Sequence, residues 1–399
     1  MEVLKERESL QKKEAERIEV RKQKENKRIY LASPHMGGLE ESFIKEAFDT
    51  NWIAPLGPNV NNFEKEVAEY VGIKDAAALI SGTSAIHLAI KLLGIKEGDT
   101  VFCSDLTFAA SCNPIMYEKA TPVFIDSEYD SFNMSPTALK KAFQCYEKKG
   151  TLPKAVIVVH LYGQAANMDE IMEICNKYNV PVIEDAAESL GAKYKGKSTG
   201  TLGEIGIFSF NGNKIITTSG GGMMVSNNAK HNEKALFWAT QARDKAPYYL
   251  HSEVGYNYRM SNIVAGIGRG QLTVLDKRVE QKKHIYDSYK EGFKDIDALE
   301  MMPVYEEPNY WLSVMTIKED SNIKPADIID ALAKENIEAR YVWNPMNNQP
   351  IFKDCKFFTT KEEGSVGGDL FNRGVCLPSD TKMSDEDIAS VIEIVKSLF

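Results

Sequence analysis

Along the chain, short continuous apolar runs alternate with longer stretches whose apolar residues recur at helical spacing. The runs 101-VFCSDL, 122-PVFID, 155-AVIVVHLYG, 181-PVIEDAA and 205-IGIFSF read as buried strands. Between them, 84-SAIHLAIKLLG, 135-SPTALKKAFQCYEKKG and 168-MDEIMEICNKYN read as helices. Strands apolar along their whole length, joined by helices, predict an α/β domain with a mostly parallel sheet covered on both faces. After about residue 270 the pattern changes. A long polar helix over 271–293 leads to a strand at 310-YWLSVMTIK, a helix at 325-PADIIDALAKENI, a strand at 338-EARYVW and a last helix from Ser384. The expected organisation is therefore a large domain over 29–270 and a smaller C-terminal α/β domain over 271–399.

Residues 1–28 differ from the rest. They carry ten Lys/Arg against seven Asp/Glu, so they are +3 while the remainder is −12. Mixed charges and a thin apolar stripe predict a solvated helical or disordered extension, and the frequent acidic residues argue against a transit peptide.

Composition narrows the function. A net charge of −9 disfavours a nucleic-acid binder. No apolar run reaches the ~20 residues that span a bilayer. The six cysteines (Cys103, Cys112, Cys145, Cys175, Cys355, Cys376) are scattered, with no Cys-x-x-Cys, so neither zinc nor a disulfide framework is expected. A reduced, cytoplasmic protein is the reading.

Four local signals carry chemistry. In 207-IFSFNGNKIITTSGGGMMVS, Lys214 stands between a strand and the glycines 220–222, with Ser209 five residues before it. A lysine desolvated at such a turn forms a Schiff base readily; most lysines are surface charges. In 181-PVIEDAAESLGA, Asp185 ends a buried strand, the sheet edge where α/β proteins hold ligands; a helix N-cap is the plainer reading. In 81-SGTSAIHLAI, a Ser-Gly-Thr-Ser turn opens a helix and offers N–H groups to an anion, without P-loop spacing. Phe108, in 104-SDLTFAAS, follows a strand and could stack on a flat ring, or simply belong to the core. Pyridoxal 5′-phosphate satisfies all four: an amine for its aldehyde, an acid for its ring nitrogen, an aromatic lid and an anion cradle.

On these motifs, with SPHMGG, NWIAPLGP, HLYGQ, TQAR, GYNYRMSN and GVCLPS, the chain from about Ile29 onward closely resembles the nucleotide-sugar aminotransferases of the DegT/StrS type. That family has the fold type I architecture of pyridoxal phosphate enzymes. Within it the text most resembles UDP-4-keto-6-deoxy-N-acetylglucosamine 4-aminotransferases. The resemblance implies Lys214 as the Schiff-base lysine, Asp185 as the partner of the ring nitrogen, and Glu188 near the ring's 3′-oxygen. It implies Phe108 as the stacking aromatic and Thr83, Ser84 and Ser209 as phosphate contacts. Asn257 would reach the phosphate from a neighbouring subunit, which implies a homodimer with shared sites. L-Glutamate and a UDP- or GDP-linked 4-keto-6-deoxy sugar are the implied substrates. Lys214 stands where deoxygenating relatives carry histidine, which argues against that chemistry; a cofactor-binding regulator remains the non-catalytic alternative. Relatives usually read Asn-Arg-Trp-Leu and Pro-x-Trp-Lys-x-x-His where this chain has Asn309-Tyr310-Trp311-Leu312 and Tyr341-Val342-Trp343-Asn344-Pro345-Met346-Asn347. Positive groups expected near the nucleotide sugar are thus neutral, and Arg269-Gly270 replaces a small or aliphatic pair.

Overall fold

The computed structural model describes residues 27–399; most of the expected charged extension lies outside them. Nine strands form in the first part: β1 (Asp75–Leu79), β2 (Thr100–Ser104), β3 (Thr121–Ile125), β4 (Ala155–Val159), β5 (Val182–Asp185), the small hairpin β6 (Lys193–Tyr194) and β7 (Lys197–Ser198), β8 (Ile205–Ser209) and β9 (Gly222–Ser226). Five follow: β10 (Leu299–Met301), β11 (Ser313–Ile317), β12 (Arg340–Tyr341), β13 (Lys356–Phe358) and β14 (Gly374–Leu377). The large sheet has the order β1-β9-β8-β5-β4-β2-β3-β13. Its pairs are parallel from β8 through β13, and β9 alone runs against its neighbours β1 and β8.

Alternation along each strand explains the two covered faces. Cys103 and Ile157 point to one side, where they pack with Ala85, Leu88 and Ala89 of the helix Gly82–Leu92. Phe102, Val156 and Val158 point to the other, against Leu139, Phe143 and Ile171. The helix Pro136–Lys148 shows the local logic. Ser135 caps it by accepting from the Ala138 N–H, proline occupies its first turn, and its apolar stripe is buried. Phe143 from that stripe stacks on Tyr178 at 4.6 Å. Truncating Phe143 to alanine would cost about 3–5 kcal/mol.

The smaller unit is a four-stranded antiparallel sheet, β10-β11-β14-β12. The helices Leu275–Phe293, Pro325–Lys334 and Asp385–Lys396 cover it through Ile285, Tyr289, Ile328, Leu332, Ile388 and Val391. Three details differ from the sequence reading. Ile29 bridges to Ile337 and sits in this smaller core, not on the large sheet. β13 returns to the large sheet beside β3. The long helix over 271–293 is in fact two, Asn262–Leu272 and Leu275–Phe293. The β-branched pair Thr273-Val274 stands at the break, where Val274 leaves helical geometry. Gly270 is required by packing, since a Cβ there would stand 2.8 Å from the Glu40 backbone nitrogen. Arg269 joins Glu66 and Asn59 and lies over the Phe43 ring, which ties three helices together. No helix among the described residues is long and apolar enough to cross a membrane.

Candidate active site

A cavity of about 410 Å³ opens at the C-terminal ends of β4, β5 and β8. Its floor comes from the large sheet: Val159 ends β4, Asp185 ends β5 and Ser209 ends β8. The first turn of the helix Gly82–Leu92 supplies Gly82 and Thr83, whose N–H groups lie at the positive helix end. Glycine is needed where these backbones converge. A Cβ on Gly222 would stand 2.2 Å from the Ser81 carbonyl carbon, and one on Gly82 would press Ser209.

Asp185 is buried, yet its carboxylate is only partly engaged. Ser111 Oγ donates to Oδ2 at 2.6 Å, and the Ala187 N–H reaches Oδ1 at 3.2 Å. Thr107 Oγ1 lies 2.6 Å behind Ser111 Oγ, so hydroxyls brace the acid from the side of β2. Lys214 sits in the loop after β8, its side chain 12% exposed. Its Nζ lies 3.5 Å from Glu188 Oε1 and 4.3 Å from the centre of the Trp311 ring. Glu188 is buried and accepts the Tyr162 N–H at 2.7 Å. Burial pushes its carboxyl up to about 7, against the pull of the Lys214 charge. Phe108 is 61% exposed at the rim and faces Trp343 at 5.8 Å.

The structure therefore gathers Lys214, Asp185, Glu188, Phe108, Thr83 and Ser209 around one cavity. It does not bring Ser84 or Asn257 there. The Ser84 hydroxyl is engaged in a capping box, accepting from the Ser81 N–H at 3.1 Å and donating to the Ser81 carbonyl at 2.8 Å. Asn257 is exposed and accepts from Gln241 at 3.2 Å. The neutral positions also turn elsewhere. Tyr310 packs on Tyr286 at 5.1 Å, Asn344 bonds Asn348 and Gln349, and the Asn347 N–H donates to Asp105 Oδ1 at 2.8 Å. Asp105 is itself pushed up to about 8 by burial.

Sequence reasoning passed over Ser111, Tyr162, Trp311 and Trp343. Only the four-residue spacing of Thr107 and Ser111, and two of four tryptophans falling near altered motifs, hinted at them. Tyr162 is held in left-handed backbone geometry at φ 54°.

Residues 35–396 match the DegT/DnrJ/EryC1/StrS aminotransferase family. The chain belongs to this family. It is 57% identical over 376 residues to EpsN of Bacillus subtilis (strain 168), a provisionally named pyridoxal phosphate-dependent aminotransferase, covering 94% of this chain and 96% of that one. It is 36% identical over 379 residues to the GDP-perosamine synthase of Escherichia coli O157:H7, covering 94% and 99%. Among solved structures, a DegT DnrJ EryC1 StrS aminotransferase from Brucella abortus superposes with a TM-score of 0.83 at 27% identity, covering 90% of this chain and 95% of that one. The protein is a pyridoxal phosphate-dependent sugar aminotransferase of fold type I.

The cavity fits that cofactor on its own evidence. It offers a buried carboxylate with lone pairs left over, an amine desolvated against an indole, and an aromatic ring exposed at the rim. It also offers a helix N-terminus beside Ser209.

Proposed function

We propose that this aminotransferase moves the amino group of L-glutamate to the C4 ketone of a nucleotide-linked 4-keto-6-deoxyhexose, UDP-2-acetamido-2,6-dideoxy-4-hexulose, for surface or extracellular glycan synthesis. The observation that carries the chemistry is the meeting of Lys214, Asp185 and Glu188 at one cavity beneath Phe108. Bound there, pyridoxal phosphate supplies the carbonyl that takes up the amino group and the ring that absorbs electrons. Asp185 keeps a proton at the ring nitrogen, and Ser111 holds the carboxylate in place to do so. Lys214 Nζ holds the cofactor between turnovers. Once displaced by substrate, its amine takes the proton from the substrate Cα and later returns one. Thr83 and Ser209 hold the phosphate, Phe108 covers the ring and keeps water off it, and Ser84 keeps the helix start in shape. Asn257 reaches the site of a second copy. Its exposure supports this, together with the apolar side chains left uncovered at Trp52, Ile53, Leu56, Tyr248 and Tyr249. A homodimer with shared sites follows.

A second reading takes GDP-4-keto-6-deoxymannose as acceptor. The full-length similarity to a GDP-perosamine synthase favours it. Mass spectrometry of products decides between them, with L-glutamate, cofactor and each 4-keto sugar offered separately. Amination of the UDP sugar alone is the expected result, and amination of the GDP sugar alone would replace the acceptor while keeping the chemistry. Absence of product with both, and of any cofactor response to glutamate, would favour a cofactor-binding regulator.

A further inference from the structure

Beyond the cofactor contacts, Glu188 is placed to do something of its own. It lies three residues past Asp185, is almost wholly buried, and divides its carboxylate between two partners. Oε2 accepts the Tyr162 N–H at 2.7 Å, and Oε1 faces Lys214 Nζ at 3.5 Å.

The surrounding backbone is shaped around that contact. Tyr162 holds a left-handed conformation, at φ 54°, that aromatic residues adopt only under strain. In it, the N–H points at Glu188 while the phenol oxygen accepts the Trp343 N–H at 3.0 Å. Gly163 follows at φ 93°, and a Cβ there would collide with Asn309 Oδ1. Asn309 in turn donates to the carbonyls of Glu188 and Leu190 at 2.8 Å. A strained tyrosine and a locked glycine thus fix one carboxylate.

We propose that Glu188 is the proton store for Lys214. The proton leaves Nζ of the lysine ammonium and passes to Oε1 of Glu188, which turns a buried ion pair into a neutral amine beside a neutral acid. One N–H bond breaks and one O–H bond forms. The pair's charge stays zero and no further reagent is needed. The lysine is thereby made nucleophilic without waiting for bulk water to take its proton.

Other titratable groups do not supply this. Asp185 is the second carboxylate near Glu188 and favours its protonated form by repulsion. The Tyr162 phenol and the Cys376 thiol from β14 also face Glu188, and burial pushes both upward, so each stays neutral at ordinary pH. Lys214 is the cation that acts on the carboxyl. Burial brings the Glu188 carboxyl up to about 7, so this carboxyl, 3.5 Å from Nζ, takes up a proton far more readily than an exposed carboxylate does.

The inference rests on Lys214 being the residue that captures the cofactor, and the test separates the two. The full-length chain, freed of cofactor, is mixed with pyridoxal phosphate, and the rate at which the visible absorbance appears is followed against pH. Rates are divided by those of a simple alkylamine of known titration, which cancels the cofactor's own ionisations. A shared proton makes the neutral-amine fraction independent of pH between about 7, where the doubly protonated pair loses the proton of the Glu188 carboxyl, and the alkaline limb. Wild type should therefore show a level shelf in lysine reactivity there. Glu188→Gln keeps an acceptor for the Tyr162 N–H but stores no proton, so its reactivity should fall about tenfold per pH unit below its own midpoint. Tyr162→Phe keeps the backbone N–H and should keep the shelf. Parallel profiles for wild type and Glu188→Gln would overturn the proposal. If Glu188→Gln does not fold, a wild-type profile without a shelf overturns it alone. A wild-type chain that captures no cofactor at any pH would instead overturn the assignment of Lys214, and this inference with it.

Discussion

Glu184 and Asp185 are consecutive carboxylates on β5, both buried, and they differ in everything that matters for chemistry. Successive strand residues face opposite sides of a sheet. Glu184 meets a complete set of donors: the N–H groups of Gly200, Leu202 and Gly203 and the ring of His160 at 2.8 Å. The His160 tautomer is set too, because its Nδ1 accepts the Ala166 N–H at 3.1 Å. A carboxylate has about four lone-pair positions, and Glu184 fills them. Asp185 receives two hydrogen bonds and borders a cavity. Burial alone thus says little about role. A saturated buried carboxylate holds loops in place, and an unsaturated one lining the same cavity as a lysine is free to act on a ligand.

Breaking the functional side should have the largest effect. Lys214→Ala should abolish transamination and the visible absorbance of bound cofactor, with about 10²–10⁴-fold lost from proton transfer alone. Retained turnover would reject the assignment. Next, Asp185→Asn should keep the fold and the cofactor yet slow both half-reactions by orders of magnitude, because the ring loses its protonated nitrogen. The contrasting change, Glu184→Gln, sets an amide among donors and should cost about 1–3 kcal/mol in denaturant unfolding. Activity per folded molecule should stay close to wild type; if it falls as far as in Asp185→Asn, the division of roles between the two neighbours is wrong.

Ser111→Ala sharpens the comparison at finer scale. It removes one donor from the Asp185 carboxylate, and hydrogen bonds to charged groups contribute about 1.5–3 kcal/mol. A drop in kcat of roughly tenfold or somewhat more, with KM for glutamate little changed, is the expected outcome. A change confined to KM would place Ser111 on the substrate instead. The smallest effect belongs to Ser84→Ala. Losing half of a capping box should cost about 1 kcal/mol of stability and leave cofactor affinity unchanged. Weaker cofactor binding without loss of stability would return Ser84 to the phosphate.

Much of this was legible in the residues. Five strands of the large sheet announce themselves as apolar runs because both faces are covered, so no polar alternation interrupts them. Lys214, Asp185, Ser209 and Thr83 were found because glycine-rich turns and strand ends are where backbones come close to a ligand. Ser84 looked like an anion contact for the same reason that it caps a helix: a hydroxyl at a helix start suits both tasks, and only its hydrogen bonds separate them. The break at Thr273-Val274 was hidden because the polar periodicity continues through it.

The sequence by itself determined the layered α/β architecture, the family, and which lysine and acid are the candidates for the site, since these depend on local periodicity and short motifs. Tertiary structure decided which groups are left unsatisfied. Ser111 meets Asp185 across 74 residues, and Tyr162 meets Glu188 across 26. The β13 strand crosses back from the second half of the chain to close the first sheet. Such contacts have no period along the chain. They arise only when separate elements pack, and proton chemistry in a buried site is set by the groups that packing places within a few ångströms.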